Sequence, residues 1–467
     1  MSVTKFGVML AALACAILIP LAVAAQTVDT IDPALRERID RIASGVMEQR
    51  GVPSASVAVV QGGKLVYTHA YGKAHLDPDK NATPEMRYAI GSNSKQITAA
   101  AILLLQQQGK LKLDDAVGKY IPGLMRGAEV TIRQCLSHTS GYQDYAPEDY
   151  PIAPMEKPTT PQQILDTWAK KPLDFEPGTK WQYSNTNYVL AGMIVEKLSG
   201  EKLFDFLQEH IFRPLGMNSV WNYDEQKLPA TDATPYDRAA FGPLRPAPLE
   251  GSGWLFGAYE LAMTAHDLAL WDQSLIARSL LSSESYREMF TEVKLKDGKG
   301  THYGLGVSVG KLVDHLDISH GGEANGFVSK TDVLVDDGVA VAVLTNHMGG
   351  GASDIARLAA STVLGTKRKP AEEQVLAIYR ELQKGHIDRS LLAPNLNHYF
   401  DTQTVADFRD SLAPLGEPLT FRQTEERLRG GMTFRAFQIV YPTRKLGLTT
   451  YSYPDGKLEQ YLVGPAD

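Results

Sequence analysis

Two strand pairs stand far apart in this chain, one on each side of a long and mostly helical middle. Residues 54–72 (SASVAVVQGGKLVYTHAYG) hold two strand-like runs around a Gly-Gly turn, and residues 330–346 (KTDVLVDDGVAVAVLTN) hold two more around Asp-Asp-Gly. We therefore expect an α/β fold: one antiparallel sheet, built from both ends of this region, with helices covering both of its faces.

The segment between the strand pairs has the apolar periodicity of helices. Two proline-rich stretches, residues 147–161 and 229–248, interrupt it, and their proline content excludes helix and central strand. Long irregular loops of this kind are either lids and binding loops or surface excursions, and the sequence leaves both open. The middle is predicted to form an all-helical subdomain, with helices at residues 93–108, 161–171, 187–200 and 203–212.

A basic, proline-marked stretch, LGTKRKPAEE at residues 364–373, indicates a domain boundary. Beyond it the pattern predicts a small C-terminal α+β domain with no cluster of nucleophile, base or metal ligands. Its expected helices lie at residues 371–384 and 403–412, and its expected strands at 418–428, 432–441 and 446–453. The predicted division is a signal peptide at 1–25, a main domain at 26–365, a linker at 366–370 and an accessory domain at 371–467.

The first 26 residues carry a lysine at position 5, a long apolar run and small residues before a cleavage point after Ala25 or Ala24. They predict a signal peptide and a periplasmic or secreted protein with no stable membrane anchor after cleavage. The alternative is an uncleaved anchor, because residues 6–25 are about long enough to span a bilayer. Cleavage removes Cys15 and leaves only Cys135, which we interpret as a small buried apolar residue.

The overall charge excludes one class of partner. The 467 residues carry a net charge of −7 and no dense stripe of lysine and arginine, so no nucleic-acid partner is expected. The hydrophobic and charged fractions, 43% and 22%, are ordinary for a soluble globular enzyme.

Ser92 and Lys95 stand three residues apart at the start of the helix predicted at 93–108. Residues at this spacing share one side of a helix, and burial lowers the pKa of a lysine toward a value at which it accepts a proton. The pair is thus either a nucleophile with its base, or a helix N-cap followed by a solvated lysine. Spacing alone does not decide, because Ser-x-x-Lys also occurs at Ser2, Ser199 and Ser308.

Two further motifs carry groups suited to the same chemistry. The chain has a single Tyr-x-Asn, Tyr183 and Asn185, whose side chains point the same way in an extended segment. The hydroxyl can relay a proton and the amide can hold a lysine, although a core tyrosine followed by a helix-capping asparagine fits as well. His320, Gly321 and Gly322 precede a strand-forming run, where glycines admit a substrate close to the backbone; a glycine-rich turn is the alternative.

Together and in this order, the three motifs resemble those of the serine β-lactamase and penicillin-binding-protein family, in its class C β-lactamase-like branch. The segments LSHTSG (136–141), EPGTKWQYSNTNY (176–188) and HGGEANGF (320–327) are similar to that family as well, and the resemblance covers about residues 35–365. It implies an α/β sandwich with a helical subdomain, no metal and no cofactor. Its implied partner is a small-molecule or peptide substrate, and the oligomeric state stays open.

Residue by residue, the resemblance implies Ser92 as the acylated nucleophile and Lys95 as its immediate proton acceptor. Tyr183 would act as general base and acid. The oxyanion hole would use the backbone N–H groups of Ser92 and Glu323. For substrate binding the family implies a set of four residues: Asn185, His320, Gly321 and Gly322.

His320 stands where the efficient β-lactamases of the family have a lysine. A lysine carries a fixed charge for the drug's carboxylate, whereas a histidine near its ordinary pKa of ~6.5 carries it only in part. The residue is therefore more similar to that of the family's D-amino-acid peptidases and esterases. We expect an exported serine hydrolase of small amides or esters, with a β-lactamase or a penicillin- or peptidoglycan-fragment-binding sensor without turnover as the alternative.

Overall fold

The computed structural model describes residues 27–148, 150–365, 370–441 and 444–466. The predicted signal peptide and residues 366–369 of the predicted linker lie outside these ranges. Within the described ranges, no helix is both long and apolar enough to cross a membrane.

The described residues form sixteen strands in four sheets. In chain order the strands are β1 (Ser54–Gln61), β2 (Lys64–Leu76), β3 (Asp79–Asn81), β4 (Tyr88–Ala89), β5 (Trp221–Asn222), β6 (Tyr236–Asp237), β7 (Arg245–Pro246), β8 (Leu261–Met263), β9 (Ser308–Leu312), β10 (His315–Ala324), β11 (Phe327–Leu334), β12 (Val339–Thr345), β13 (Thr420–Arg429), β14 (Met432–Val440), β15 (Lys445–Ser452) and β16 (Leu458–Pro465).

Thirteen α-helices lie in the same ranges, and short π-helical turns at Leu165–Ala169 and Gln208–Phe212 extend two of them. The helices are α1 (Pro33–Arg50), α2 (Ser94–Gln107), α3 (Ile132–Leu136), α4 (Pro161–Ile164), α5 (Thr186–Ser199), α6 (Leu203–Leu207), α7 (Arg213–Leu215), α8 (Ala265–Ala277), α9 (Ser283–Phe290), α10 (Ala352–Val363), α11 (Pro370–Gln383), α12 (Pro394–Tyr399) and α13 (Thr402–Leu412).

The main sheet joins the two distant strand pairs. Its strand order is β3-β2-β1-β12-β11-β10-β9, and every pairing in it is antiparallel. β1 meets β12 at the centre, where Ala58 lies opposite Ala342. The predicted antiparallel sheet built from both ends of the main region is thus confirmed.

Both faces of this sheet are covered, which explains why β1 is buried along almost its whole length. Ala58 and Val60 pack into one core with α2, α5 and α8, whereas Val57 and Val59 pack into a second core with α1 and α10. Side chains that alternate along the strand therefore enter two different cores. The predicted sandwich of helix, sheet and helix is confirmed.

Helices α2 to α7 and their connecting loops form the predicted helical subdomain on one side of the sheet. The predicted helix at 93–108 begins with a 3₁₀ turn, Gly91–Asn93, and continues as α2. Eleven residues of α2 are buried, so this helix forms part of the core.

The C-terminal strands form a separate antiparallel sheet, in the order β13-β14-β15-β16. It packs with α11 around a hydrophobic core of its own, which includes Tyr379, Phe437 and Tyr461. Leu458–Pro465 supplies the fourth strand of this sheet.

The structure places the third sequence motif, which begins at His320, in a hairpin of the main sheet. His320, Gly321 and Gly322 precede strand β11, which starts at Phe327, and they themselves lie within a strand, β10, and not in a glycine-rich turn. The two strands are joined by the two residues Asn325 and Gly326, and Gly326 has a φ of +81°. A two-residue turn that needs a positive φ fixes the position of the hairpin, and the apolar pattern alone does not show this.

Candidate active site

Ser92 lies in the 3₁₀ turn Gly91–Asn93, directly before α2. Gly91 holds a φ of +53°, and a Cβ atom placed on it would lie 2.4 Å from the backbone nitrogen of Glu323. Only glycine therefore lets the turn approach strand β10 this closely. The result is a half-buried serine at the amino end of a buried helix, next to strand β10 near the edge of the main sheet.

The Lys95 ammonium group is fully buried and lies against Ser92. Its Nζ is 2.9 Å from Ser92 Oγ, 2.7 Å from Asn185 Oδ1 and 3.0 Å from the carbonyl oxygen of Ala258. Burial lowers the pKa of Lys95 to about 7, against the opposing effect of the Asp144 carboxylate. The alternative of a solvated lysine behind an N-cap does not fit this geometry.

The three contacts of Lys95 can be made in either protonation state, because all three oxygens can accept from the ammonium form. A neutral lysine has two N–H groups and one lone pair, and it faces two carbonyl-type oxygens and one hydroxyl. In the neutral form, the oxygens of Asn185 and Ala258 accept the two N–H groups, so the lone pair is left for the hydroxyl hydrogen of Ser92. This arrangement suits proton abstraction from the serine.

Tyr183 borders the same space. Its ring centroid lies 4.9 Å from Lys95 Nζ, and its ring packs against His138 with centroids 4.2 Å apart. Burial raises the pKa of Tyr183 above its ordinary value, and a hydrogen bond with the Ser92 side chain opposes this only in part. The phenol therefore stays protonated at neutral pH, half-exposed beside the serine, and is not a core tyrosine.

Asn185 immediately precedes α5, but its side chain makes no capping hydrogen bond to that helix. The amide instead contacts Lys95 through Oδ1, and it donates from Nδ2 to Asp144 Oδ2 at 3.3 Å. The Asn185 backbone N–H also donates to Asp144 Oδ1 at 2.9 Å. Asp144 was not predicted, because a single acid in a loop forms no motif; the neighbouring segment LSHTSG was the available signal.

His320 faces the site from β10 and is 5% exposed. Its Nδ1 lies 2.5 Å from the Gly321 carbonyl oxygen, which can only accept, and its Nε2 lies 2.8 Å from the Tyr303 hydroxyl. Burial, with the Lys95 charge nearby, lowers the pKa of His320 to about 3. The expectation of a partly charged imidazole is thus wrong: the ring is neutral at physiological pH. Tyr303, which lies outside the three motifs, was not predicted.

Gly322 brings β10 against the serine turn. A Cβ atom on Gly322 would lie 1.9 Å from the Ile90 carbonyl oxygen and 2.8 Å from the Ser92 backbone nitrogen. The hairpin register places Gly322 opposite Ser329 and Glu323 opposite Val328. Since the pair next to a two-residue turn is hydrogen-bonded and the pattern then alternates, the backbone N–H of Glu323 points away from β11, toward Gly91 and Ser92.

The sheet edge beside this site is only partly covered. β9 pairs with β10 from His315 to Ser319, so its pairing stops one residue before His320. Within the described strands, the half of β10 that carries Gly321 to Glu323 pairs with β11 alone.

Cys135 is not part of the site. It is buried in the core that covers the helical face of the sheet, and burial raises the pKa of its thiol. Among the described residues, no group of three histidine, cysteine or acidic side chains is arranged to hold a metal ion. The groups gathered at the site are those of acyl transfer: a hydroxyl, an amine, a phenol and backbone N–H groups.

Sequence comparison places this geometry among known proteins. A family model described as Beta-lactamase matches residues 39–364. The chain is 30% identical over 285 residues to penicillin-binding protein 4* of Bacillus subtilis, covering 56% of this chain and 62% of that protein. It is also 30% identical over 326 residues to a D-aminopeptidase of Brucella anthropi, covering 69% of this chain and 61% of that protein. The matches therefore span less than two thirds of these relatives.

Solved structures show similar folds. A D-stereospecific amidohydrolase from Streptomyces sp. is 28% identical with a TM-score of 0.61, and the match covers 71% of this chain and 98% of that one. An octameric penicillin-binding protein homologue from Pyrococcus abyssi matches 92% of this chain and 99% of its own, with a TM-score of 0.64. At 23% identity the second likeness concerns the fold alone.

Proposed function

Because the chain belongs to the beta-lactamase family of serine hydrolases, we propose that it is an exported hydrolase that acts through an acyl-enzyme on Ser92. The proposed substrates are small amides or esters, and foremost peptides or amides with a D-amino acid at the acyl position. The observation that carries this proposal is the buried Lys95 side chain, whose Nζ lies 2.9 Å from Ser92 Oγ.

Acylation begins when Ser92 Oγ attacks the substrate carbonyl and Lys95 takes the hydroxyl proton. The carbonyl oxygen becomes an oxyanion beside the backbone N–H groups of Ser92 and Glu323, which the close packing of Gly322 and Gly91 holds near each other. The protonated Tyr183 donates a proton to the leaving amine or alcohol, and the bond between the carbonyl carbon and the leaving group breaks.

Deacylation reverses these roles with water in place of the serine. Tyr183, which has given up its proton, accepts one from the incoming water, and the water oxygen attacks the ester carbon. The bond to Ser92 Oγ then breaks, and Lys95 returns the proton to the serine oxygen. One oxyanion hole serves both half-reactions.

The neutral His320 supports amides and esters over β-lactams. Its two nitrogens are engaged by Gly321 and Tyr303, so it offers no fixed positive charge for the carboxylate that β-lactams carry. A D-aminopeptidase among the relatives and a D-stereospecific amidohydrolase among the similar structures point to the same substrate class.

Mass spectrometry of the intact protein tests the proposal. The protein is incubated with D-alanyl anilide, L-alanyl anilide as the stereochemical control, a short-chain ester, a D-Ala-D-Ala peptide and a penicillin. We expect a transient adduct on Ser92 with turnover of the D-anilide or the ester, and neither with Ser92→Ala. Full ester activity in Ser92→Ala overturns the proposal. A stable penicillin adduct without turnover of any compound identifies a sensor, and rapid penicillin turnover identifies a β-lactamase.

We further propose that residues 1–25 direct export to the periplasm or the medium, and that residues 371–467 form an accessory domain joined through residues 366–370. The separate core around Tyr379 and Tyr461 supports the second point. Cell fractionation with amino-terminal sequencing of the mature protein tests export. Deletion of residues 370–467 tests whether the accessory domain is separate. We expect unchanged kinetics with a small ester, and a truncated protein that folds but hydrolyses the ester more slowly would contradict the proposed domain division.

A further inference from the structure

Two acceptors face the NH₂ end of the Asn185 amide: the Asp144 carboxylate, and the Ala146 carbonyl oxygen at 3.5 Å. Asp144 Oδ1 accepts the Asn185 backbone N–H at 2.9 Å and the Ala146 N–H at 3.3 Å, and Oδ2 accepts Asn185 Nδ2 at 3.3 Å. An ionised carboxylate only accepts hydrogen bonds, so the amide must turn its NH₂ toward it. The oxygen of the amide is then directed to Lys95 Nζ, 2.7 Å away.

The opposite orientation of this amide would disable the base. If Asn185 turned by 180°, its NH₂ would face Lys95 and would donate to the lone pair of the neutral amine. That lone pair would then no longer face Ser92 Oγ. An asparagine amide alone has no preference between these two orientations, so a neighbour must supply it.

We propose that Asp144 is a positioning residue: it fixes the orientation of the Asn185 amide and so aligns the lone pair of Lys95 with the Ser92 hydroxyl. This inference rests on the proposed function and assigns Asp144 no contact with substrate. The chain of contacts runs from Asp144 through Asn185 to Lys95 and Ser92, and each link is a hydrogen bond of the described structure.

The charge of Asp144 has a second, separable effect. It opposes the lowering of the Lys95 pKa by burial, so its removal moves that pKa further down. The other titratable groups whose charges or rings face Lys95 are Tyr183, Tyr188, Tyr259, His138 and His320. Burial raises the pKa of each tyrosine and lowers that of each histidine, so all five are neutral near pH 7.

The first test is Asp144→Asn in the full-length protein, with D-alanyl anilide or whichever panel compound is turned over. We expect kcat to fall on the order of 10²-fold, as for a misplaced catalytic group, with a smaller change in KM. The acid limb of the kcat/KM profile should move to lower pH, because the lysine loses a stabilising negative charge. Asp144→Glu, which keeps the acceptor-only carboxylate, should recover part of the loss. An unchanged kcat, or a rise in KM alone, overturns the proposal.

The second test is a double-mutant cycle with Asn185→Ala. If Asp144 acts through Asn185, then Asp144→Asn should cost little further activity in the Asn185→Ala background. Losses that multiply would show that Asp144 acts by another route. Asp174→Asn is the matched control, because Asp174 is an exposed carboxylate that accepts a side-chain amide of Gln182 in the same way.

The two proposals fail in different ways. Activity that survives in Ser92→Ala contradicts the acyl-enzyme itself. Activity that disappears in Ser92→Ala but persists at full kcat in Asp144→Asn contradicts only the role of Asp144. Thermal unfolding of each variant, with the penicillin-derived mass adduct on Ser92 as a second readout, separates loss of folding from loss of alignment.

Discussion

Tyr303 and His320 are joined by a hydrogen bond of 2.8 Å between the phenol oxygen and Nε2, while His320 Nδ1–H donates to the Gly321 carbonyl oxygen at 2.5 Å. Both ring nitrogens are thus engaged by the protein. Burial and the nearby charge of Lys95 lower the pKa of His320 to about 3, so a second proton on the ring is disfavoured. The His320 side chain is therefore a polar, uncharged group.

His320→Lys should shift selectivity toward substrates that carry a carboxylate. A fixed ammonium there strengthens the contact with the carboxylate, and we expect the ratio of penicillin acylation to D-alanyl anilide hydrolysis to rise roughly tenfold. The ratio is measured at one pH, since the new charge also lowers the Lys95 pKa. His302→Lys, on an exposed neighbouring side chain, is the control and should leave the ratio unchanged. An unchanged ratio in His320→Lys would contradict this account of selectivity.

Activity should rise with pH through about 7, where the buried Lys95 loses its proton. Below that pH the lysine is protonated and has no lone pair for the serine, so kcat/KM falls in proportion to the neutral fraction. Lys95→Arg should abolish this limb and reduce the acylation rate by about 10² or more, because a guanidinium stays charged. Stopped-flow acylation across pH 5 to 9, where ~2 units on each side of the transition are sampled, measures both effects. An acid limb that persists in Lys95→Arg would mean that another group sets it.

Gly322→Ala should separate β10 from the serine turn. Its Cβ would lie 1.9 Å from the Ile90 carbonyl oxygen, which is backbone and can move only if the strand moves. We expect a loss of about 1–3 kcal/mol in the free energy of unfolding, as for overpacking, and a larger loss of activity because the oxyanion hole opens. Gly310→Ala is the control, since no atom lies within 4 Å of its Cβ position. Equal activity in the two variants would contradict the proposed oxyanion hole.

Asp232→Ala should destabilise the fold more than it affects catalysis. Its carboxylate accepts the backbone N–H, Nε and Nη2 of Arg87, and the Arg87 guanidinium also lies 4.4 Å from the centroid of Trp221. Removing one partner of such a buried pair costs about 3–5 kcal/mol in the free energy of unfolding. Chemical denaturation measures it, with Asp79→Ala in the exposed pair with Lys73 as a control expected to cost under ~1 kcal/mol. Similar losses in both variants would show that the loop bearing Asp232 is not anchored by this pair.

Local patterns in the sequence predicted the sheet and the pairing of Ser92 with Lys95, since strand alternation and helical spacing depend on near neighbours. They could not predict the state of His320, because its lowered pKa comes from burial in the folded site and from the charge of Lys95, which lies far away in the sequence. The role of Asp144 could not be predicted from the sequence for a related reason. Its role depends on two hydrogen bonds to Asn185, 41 residues away, and no spacing rule connects a loop carboxylate to a helix start across that separation.

The pairing of β1 with β12 has a consequence for the order in which the protein folds during synthesis. Ser54 bonds to Asn346 across 292 residues of chain, so the centre of the sheet closes one of the longest loops in the molecule. Contacts of such high contact order form slowly, and a nascent chain cannot make them until residue 345 has emerged. Ser92 is therefore synthesised well before β10 and β12, and the site that they complete cannot form until the chain through residue 345 has been made.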